Sequence, residues 1–353
     1  MVGSRFPVQK RFWRELSARV NAKRRFETVD LVERLVPITP DQIRITNHPI
    51  ERPTTAFNPS LRLTEDGFRI YARVTLGYYT YASAVAEFDV PFEDLFSRRK
   101  REYPSRLVIL PSNRYDFFGV EDPRVYEVEG RLYATYCGRA VGYFDSSVQV
   151  ERTLPLTAVY CGGVWKKIAV FRMPEEFRSF VVSDKNAFMV KARELFLFHR
   201  LHMLNDKFYL SVCKIPNRVL ELEDHFEEIV VGDNVTVLEA MDEVESKLGW
   251  ATPPLKIDGR FLVLIHAVDQ KMKIYRVFAT LLDETGRFTA ITPFYIMEPK
   301  ESYELYGDRP YVVFPCGAAL KDGYIYLSYG GADSVIGLGR ISLDRLLETF
   351  VEL

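Results

Sequence analysis

The chain has 353 residues, of which 47% are hydrophobic and 27% charged, and its formal net charge is −1. This balance gives no global field that would favour nucleic acid or an anionic membrane, so we expect neither as a partner. We find no apolar run long enough to span a bilayer and no signal-peptide core at the N-terminus. Four scattered cysteines without a C-x-x-C pair favour reduced thiols, so we expect a cytoplasmic protein.

Residues 1–48 are predicted to form a helical extension. Apolar residues at 12–22 recur at helical spacing among arginines and lysines, and a second periodic piece at 29–36 ends before two prolines. A basic helix of this kind could be an oligomer contact, a nucleic-acid arm, or a solvated face docked on the main domain. The neutral net charge favours docking or self-association, and we expect a homo-oligomer.

From residue 50 onwards the pattern changes to short runs of period two, rich in Val, Ile, Tyr and Phe, which are typical of strands. Five of these runs resemble one another, because each starts in a tight turn, continues as an apolar strand and ends in a polar residue. They begin at Asp66, Glu129, Arg193, Asp258 and Asp322, so the spacings are 63, 64, 65 and 64 residues. This even period predicts a repeat architecture.

The length of the repeat indicates its fold. A period of about 64 residues without a long helix fits one propeller blade of four strands plus a long connection. We therefore predict an all-β protein, a five-bladed β-propeller at residues 49–345 followed by a tail at 346–353. The repeated run would be an inner strand whose polar end faces the central channel. A β-sandwich is the alternative, but it gives no reason for five equal periods.

The acidic stretch Gly-Val-Glu-Asp-Pro-Arg-Val at 119–125 is a candidate site. Pro123 biases Asp122 towards extended geometry. Because successive side chains of an extended segment point to opposite faces, only one of Glu121 and Asp122 is expected to face a given pocket. The alternative is a turn with an acidic surface.

A central funnel would bring together polar residues from several strand ends. Candidate bases are Arg73, Arg152, Lys185, Arg200, Lys247 and His266, each of which could instead be a surface or core residue. Candidate acids are Glu121, Asp122, Asp184, Glu304, Asp308 and Asp333. Simple inverting hydrolysis of a glycoside needs two facing acids, whereas attack by phosphate replaces the second acid with a nest of cations. One acid among many bases favours phosphorolysis.

Other chemistries lack support in the sequence. There is no P-loop, no dinucleotide-binding glycine motif and no G-x-S-x-G. The five histidines are scattered without metal-ligand spacing. We expect no cofactor and no metal, with inorganic phosphate as a co-substrate.

The stretch at 119–125 resembles the central motif of glycoside hydrolase family 130, the β-mannoside phosphorylases and related β-mannosidases. Other blocks agree with the family in the same order, at 58–60, 71–74, 183–186, 198–200, 247–254, 266–268, 303–307, 312–317 and 329–334. Departures occur at Ala267, where the family often has glycine, at Tyr311, where it often has asparagine, and across 139–152. These departures leave the acceptor sugar, the linkage and the preferred chain length open.

The resemblance implies a five-bladed propeller and inverting phosphorolysis, in which phosphate attacks a β-linked mannose and releases α-mannose 1-phosphate. It implies Asp122 as the general acid, with the proton passing through the mannose 3-hydroxyl. The positions that match phosphate contacts are Arg200, Lys247, His266, Tyr275, Arg152 and Lys185. Sugar contacts would fall on Asn58, Ser60, Arg73, Asp184 and Asp333. Glu121 is placed in the same substrate-binding group, although we expect it to point the other way from Asp122, as a structural partner.

We therefore predict a β-mannoside phosphorylase that acts reversibly on β-1,2- or β-1,4-linked manno-oligosaccharides. The first alternative is a hydrolytic β-mannosidase on the same fold, which the many bases disfavour. The second, of another class, is a carbohydrate-binding propeller without catalytic activity.

Overall fold

The computed structural model describes the backbone of residues 11–77, 81–97, 100–231 and 235–353, and the side chains of all of these except 11–16 and 236. Residues 1–10 of the predicted extension, and the apolar side chains predicted at 12–16, therefore lie outside the described part. Within that part, no helix combines the length and the apolar character needed to cross a membrane.

Strands account for most of the described backbone. The helices are α1 (Arg11–Lys23), α2 (Glu175–Arg178), α3 (Ser302–Leu305) and α4 (Leu343–Leu347). The first strands are β1 (Glu33–Ile38), β2 (Ile43–Ile45), β3 (Thr55–Leu63), β4 (Gly67–Thr75), β5 (Ser83–Pro91), β6 (Tyr103–Ile109), β7 (Val120–Val128), β8 (Arg131–Arg139), β9 (Thr153–Cys161), β10 (Val164–Arg172), β11 (Val181–Lys191) and β12 (Leu195–Met203). The remaining strands are β13 (Phe208–Ile215), β14 (Glu227–Val230), β15 (Val235–Leu238), β16 (Glu245–Trp250), β17 (Leu255–Ile257), β18 (Arg260–Asp269), β19 (Tyr275–Leu282), β20 (Phe288–Ile291), β21 (Val313–Lys321), β22 (Tyr324–Gly331), β23 (Val335–Ser342) and β24 (Val351–Glu352).

The described strands form four sheets. Three of them have the orders β2-β6-β5-β4-β3, β16-β18-β19-β20-β24 with β17 also on β18, and β1-β23-β22-β21. The fourth has nine strands and consists of β7-β8-β9-β10-β14 and β11-β12-β13-β15, which join where Thr153 of β9 pairs with Ser183 of β11. The mostly-β fold is confirmed. The count of five blades stays a prediction, since these strands give four open sheets.

The five repeated runs occupy equivalent places in the sheets. They form β4, β8, β12, β18 and β22, each paired on both sides. The strands that precede them contact one another: the amide of Val125 in β7 donates to Oγ of Ser60 in β3 at 2.9 Å, and Arg124 donates to the carbonyl of Trp250 in β16 at 3.0 Å. The centre is therefore formed by β3, β7, β11, β16 and β21, and the repeated strands lie one strand further out.

Three of the central strands are bulged at equivalent points. The pairing register shifts in β3, β7 and β11, and in each of these strands one shift contains a residue with positive φ. These residues are Asn58, Asp122 and Asn186, with φ of 46°, 51° and 56°. Asn and Asp tolerate this left-handed region better than most residues, and a bulge re-aims the side chain that it carries.

The second predicted helical piece, at 29–36, is wrong in its secondary structure. Its C-terminal part belongs to β1, which pairs antiparallel with β23. Pairing with β23 makes this segment a strand despite the helical spacing of its apolar residues. Pro37 is tolerated in it because β1 lies at the edge of its sheet. The division into an extension, a propeller and a tail stays a prediction, although β1 and β24 both pair with strands of the sheets.

A buried ion pair ties the residues after α1 to the sheet that contains β16. The guanidinium of Arg24 donates to the carboxylate of Glu245, the first residue of β16, and Nη1 lies 3.0 Å from Oε2. The Tyr295 hydroxyl donates to the same carboxylate at 2.7 Å. The two charged side chains are 2% and 0% exposed. Each charge is therefore compensated by the other rather than by water.

We expect Arg24→Met to lower the free energy of unfolding by about 3–5 kcal/mol, because it leaves the Glu245 carboxylate buried without its cation. Urea unfolding followed by fluorescence measures this loss. Arg25→Met is the matched control, since Arg25 is exposed, and its effect should stay within about 0.5 kcal/mol. Equal unfolding midpoints for the two variants would contradict the assignment.

Candidate active site

A cavity of about 290 Å³ opens at the centre, where the bulged strands meet. Acids, bases and aromatic side chains line it together. The lining residues are Asn58, Arg73, Glu121, Asp122, Arg139, Tyr143, Ser183, Lys185, Asn186, Arg200, His202, Phe208, Lys247, Tyr275, Arg309, Val312, Phe314 and Asp333. Nine of the thirteen residues to which the family resemblance gives a role are among them.

Asp122 lines this cavity, and its two carboxylate oxygens have different surroundings. Its Oδ1 accepts from Nδ2 of Asn58 at 2.8 Å and from Nη1 of Arg73 at 3.1 Å. Among the described residues, no donor is bonded to its Oδ2. The geometry therefore holds the carboxyl group by one oxygen and leaves the other for a ligand.

Glu121 lines the same cavity, so the expectation that it points the other way is wrong. The bulge and the positive φ of Asp122 break the alternation that an extended strand would impose. The Glu121 carboxylate accepts from Arg73 at 3.0 Å, from Arg139 at 2.7 Å and from Lys185 at 3.0 Å. Burial alone would raise its pKa, but these three cations hold the pKa well below its usual value. Glu121 is thus a fixed anion that orders the basic residues around it.

Three other cations line the cavity without forming a salt bridge to a carboxylate in the described part of the chain. They are Arg200, Lys247 and Arg309. Burial, and then the charges of Arg200 and Arg309, lower the pKa of Lys247 well below its usual value. Burial also lowers the pKa of Arg200, whose Nε has no hydrogen-bond partner among the described residues. Since unpaired buried charge is costly, this group is suited to bind an anion.

Tyr275, which the family resemblance matches to a phosphate contact, lies among these cations. The guanidinium of Arg309 is 4.8 Å from the centre of its ring, and the ammonium of Lys247 is 5.6 Å from it. Burial raises the pKa of its hydroxyl, which therefore stays protonated near neutral pH. The hydroxyl can donate a hydrogen bond to an anion at this point.

His266 lies beneath the cavity rather than on its wall. Its ring centre is 5.7 Å from that of Tyr275 and 4.6 Å from that of Phe314, and the side chain is fully buried. Burial, and then the charge of Arg200, hold its pKa well below the usual value, so the ring is neutral. In this structure His266 packs against Tyr275 and is not among the residues that line the cavity.

Ser60 and Asp184 also lie behind the cavity wall. Ser60 bonds the backbone of Val125, as described above, and Oδ2 of Asp184 is 2.8 Å from Nδ1 of His199. Burial opposes a charge on His199, but Asp184 raises its pKa well above the usual value. Of these two residues, which were predicted to contact sugar, Ser60 connects the central strands β3 and β7, and Asp184 connects β11 to its neighbour β12.

Arg152 is the fourth predicted residue that the structure places away from the cavity. Its guanidinium donates to backbone carbonyls of the loop between β8 and β9, at 2.5 Å to Asp145, 3.1 Å to Gly142 and 3.3 Å to Tyr143, and also to Val148. These bonds use both terminal nitrogens. Arg152 is thus a clamp on this loop.

Comparison with known proteins identifies the family. The sequence pattern of glycoside hydrolase family 130, described as β-1,4-mannooligosaccharide phosphorylase, matches residues 22–352. The chain belongs to glycoside hydrolase family 130. The resemblance drawn from short blocks is thereby confirmed.

Two relatives by sequence are phosphorylases by name. The chain is 27% identical over 232 residues to the 1,2-β-oligomannan phosphorylase of Thermoanaerobacter sp. (strain X514), which covers 65% of this chain and 70% of that protein. It is 25% identical over 240 residues to the β-1,4-mannooligosaccharide phosphorylase of Ruminococcus albus, covering 64% of each. Such relatives support the prediction of an enzyme over that of a binding module.

A solved structure shows the same fold. The β-1,2-mannobiose phosphorylase of Listeria innocua, in complex with β-1,2-mannobiose, superimposes with a TM-score of 0.61. The match covers 90% of this chain and 96% of that one at 17% identity. At this identity the likeness concerns the fold alone.

Sequence reasoning missed half of the cavity wall of this family 130 protein. The missed residues are Arg139, Tyr143, Ser183, Asn186, His202, Phe208, Arg309, Val312 and Phe314. Arg139 ends β8, much as Arg73 lies near the end of β4, so the repeat itself could have indicated it. Four others stand inside the matched blocks at 183–186 and 312–317. Arg309 lies in a connection without periodic pattern, and no signal in the sequence marks it.

Asp333 completes the acidic side of the cavity from the turn after β22. Its φ is 51°, again in the left-handed region. Burial raises its pKa to about 6, against the opposing charges of Arg309 and Arg73 and with a contribution from Asp122. Asp333 therefore exchanges a proton within the working range of many enzymes.

We expect Asp333→Asn to change how stability depends on pH. Between the ordinary aspartate pKa of about 4 and a folded-state pKa of about 6, the folded protein keeps a proton that the unfolded chain has lost. This residue therefore makes stability fall as pH rises through that window. Melting temperatures measured from pH 4 to 7 should fall less steeply for the variant than for the wild type. Parallel curves would contradict the assigned pKa.

Proposed function

We propose that this family 130 protein catalyses the reversible, inverting phosphorolysis of β-mannosides and releases α-mannose 1-phosphate. The observation that carries the proposal is the combination of groups that line one cavity. Asp122 offers a carboxylate oxygen with no bonded donor among the described residues, and Arg200, Lys247 and Arg309 line the same cavity without a salt bridge in the described part of the chain. A proton donor facing an anion site is what attack by phosphate on a glycoside requires.

The two sides perform different parts of the reaction. Asn58 and Arg73 hold Oδ1 of Asp122, so that Oδ2 can deliver a proton towards the glycosidic oxygen, by way of the mannose 3-hydroxyl as the family resemblance implies. The cations bind phosphate against the anomeric carbon and reduce the entropic cost of its attack. As the bond to the leaving sugar breaks, that sugar gains the proton and the mannose gains the phosphate. Attack from the opposite face gives the α-anomer.

The phosphate requirement tests this proposal. The protein is incubated with β-1,2- and β-1,4-mannobiose in the presence and absence of inorganic phosphate, and products are followed by ³¹P and ¹H NMR. We expect α-mannose 1-phosphate to form only when phosphate is present. Release of free mannose at the same rate without phosphate would reject phosphorolysis.

Hydrolysis is the second candidate, and Asp333 is the observation that favours it. A carboxyl group with a pKa of about 6 in the same cavity as Asp122 could activate water as a general base. The charges of Arg309 and Arg73 lower the pKa of Asp333, but burial outweighs them and keeps it above the usual value. The same incubation separates the two functions, because hydrolysis needs no phosphate.

We further propose a cytoplasmic location and a homo-oligomeric state. The four cysteines are free thiols and three of them are buried, which supports a reducing compartment. Arg19 and Lys23 are exposed on α1 and leave this helix available for contact with a second copy. Sedimentation of the full chain and of a variant that lacks residues 1–23 tests the oligomer.

A further inference from the structure

The mouth of the cavity carries an exposed aromatic cluster. Tyr143 lines the cavity and is 50% exposed, and the adjacent Phe144 is 71% exposed. Their ring centres are 5.6 Å apart, and the ring of Tyr81 lies 5.7 Å from Tyr143 and 6.1 Å from Phe144. We call Tyr81, Tyr143 and Phe144 the aromatic rim. Exposed apolar patches next to polar residues mark ligand grooves or protein contacts, so the rim needs an explanation.

The aromatic rim is held in place from several directions. The Tyr81 hydroxyl donates to Asp308 at 3.1 Å, and the guanidinium of Arg139 lies 4.4 Å from the centre of the Tyr143 ring. Arg152 clamps the backbone of the loop that bears Tyr143 and Phe144, as described above. A surface ordered in this way loses little conformational entropy when a ligand binds.

The size of the cavity indicates what the rim would contact. A volume of about 290 Å³ lies just below the range of roughly 300–1,000 Å³ that small-molecule sites span. Under the proposed function this space holds the reacting mannose unit and phosphate. Further units of a longer substrate must leave through the mouth and pass over the rim. The C–H face of a sugar ring is apolar and uncharged, and it packs on an aromatic face while its hydroxyl groups stay in water.

We propose that the aromatic rim binds sugar units of the substrate chain beyond the reacting bond, so that the enzyme prefers β-mannosides of three or more units over the disaccharide. This inference rests on the proposed function for its substrate class. The segment that carries Tyr143 and Phe144 is also the one where the sequence departs from the family blocks, at 139–152. The rim is therefore a specificity feature of this chain.

Phe144→Ala is the variant that tests the rim. Values of kcat/KM for phosphorolysis are measured on the disaccharide and the trisaccharide of both the β-1,2 and the β-1,4 series. We expect the ratio of trisaccharide to disaccharide to fall by about three- to tenfold, the range that one aromatic contact is worth. Phe144→Tyr should keep the wild-type ratio. The control is Phe96→Ala, which removes another exposed phenylalanine (59%) away from the cavity and should change neither value.

Arg152→Met tests the clamp separately. Loosening the loop should lower the same ratio without raising the KM for phosphate. A rise in the KM for phosphate would instead indicate that Arg152 contacts phosphate. The argument that Arg152 orders the aromatic rim would then fail.

A binding measurement separates failure of this inference from failure of the proposed function. Calorimetry with the Asp122→Asn protein compares the trisaccharide with the disaccharide, with and without Phe144→Ala. Tighter binding of the trisaccharide that depends on Phe144 supports the rim even if no phosphorolysis is found. Equal binding of both sugars would overturn the inference. So would a Phe144→Ala protein whose sugar preference is unchanged but whose sedimentation shows a lost oligomer, because the rim would then be a contact between copies.

Discussion

Replacement of Asp122 by asparagine is expected to lower kcat for phosphorolysis by about 10²–10⁴-fold, which is the contribution of general-acid catalysis. The amide oxygen can still accept the hydrogen bonds from Asn58 and Arg73, so the cavity should keep its shape. What is lost is the proton on the other oxygen. Initial rates on the disaccharide with saturating phosphate measure the effect. Glu127→Gln removes an exposed acid of the same strand and should leave kcat unchanged.

The leaving group distinguishes proton donation by Asp122 from a structural role. A β-mannoside with 4-nitrophenol as its leaving group needs little protonation, so Asp122→Asn should slow its phosphorolysis much less than that of the disaccharide. A purely structural defect would slow both substrates equally. Equal losses would therefore contradict the role of Asp122 as general acid.

The features that the sequence predicts best are those that repeat. Five runs at equal spacing predicted equivalent strands, because each copy must bury the same apolar pattern in its sheet. Local geometry was predicted less well. Pro123 indicated extended backbone at Asp122, yet the pairing of β7 with β8 places a bulge there. The bulge directs the side chains of both Glu121 and Asp122 towards the same cavity. A bulge depends on contacts between strands, which neighbouring residues in the sequence do not report.

The second property that the sequence does not reveal is how far a side chain lies from the cavity. His266 and Arg200 both follow apolar strand residues, but Arg200 reaches the cavity while His266 packs beneath Tyr275. The short imidazole ends before the wall and the longer guanidinium extends past it. Arg152 is a further example. Nothing in the neighbouring sequence indicates that its guanidinium donates to backbone carbonyls of the loop that precedes it.

Lys247→Met is expected to raise the KM for phosphate by about ten- to hundredfold, because a hydrogen bond to a charged partner contributes about 1.5–3 kcal/mol. Burial and the charges of Arg200 and Arg309 hold the pKa of Lys247 well below its usual value in the free protein. A phosphate dianion between these cations favours the ammonium form and raises that pKa. Phosphate binding should therefore take up a proton at any pH between the free and the bound pKa. Calorimetry in buffers of different ionisation enthalpy measures this uptake.

The same substitution should stabilise the protein that has no phosphate bound. A lysine whose folded-state pKa is lowered binds fewer protons in the folded than in the unfolded state, so it makes stability fall as pH decreases below the ordinary lysine pKa. Methionine removes this cost, and the melting temperature of the phosphate-free variant should exceed that of the wild type at neutral pH. Added phosphate should then raise the melting temperature of the wild type more than that of the variant. Lys256→Met, at an exposed lysine outside the cavity, is the control. An unchanged KM for phosphate, or proton uptake that persists without Lys247, would contradict the assignment of this lysine to the phosphate site.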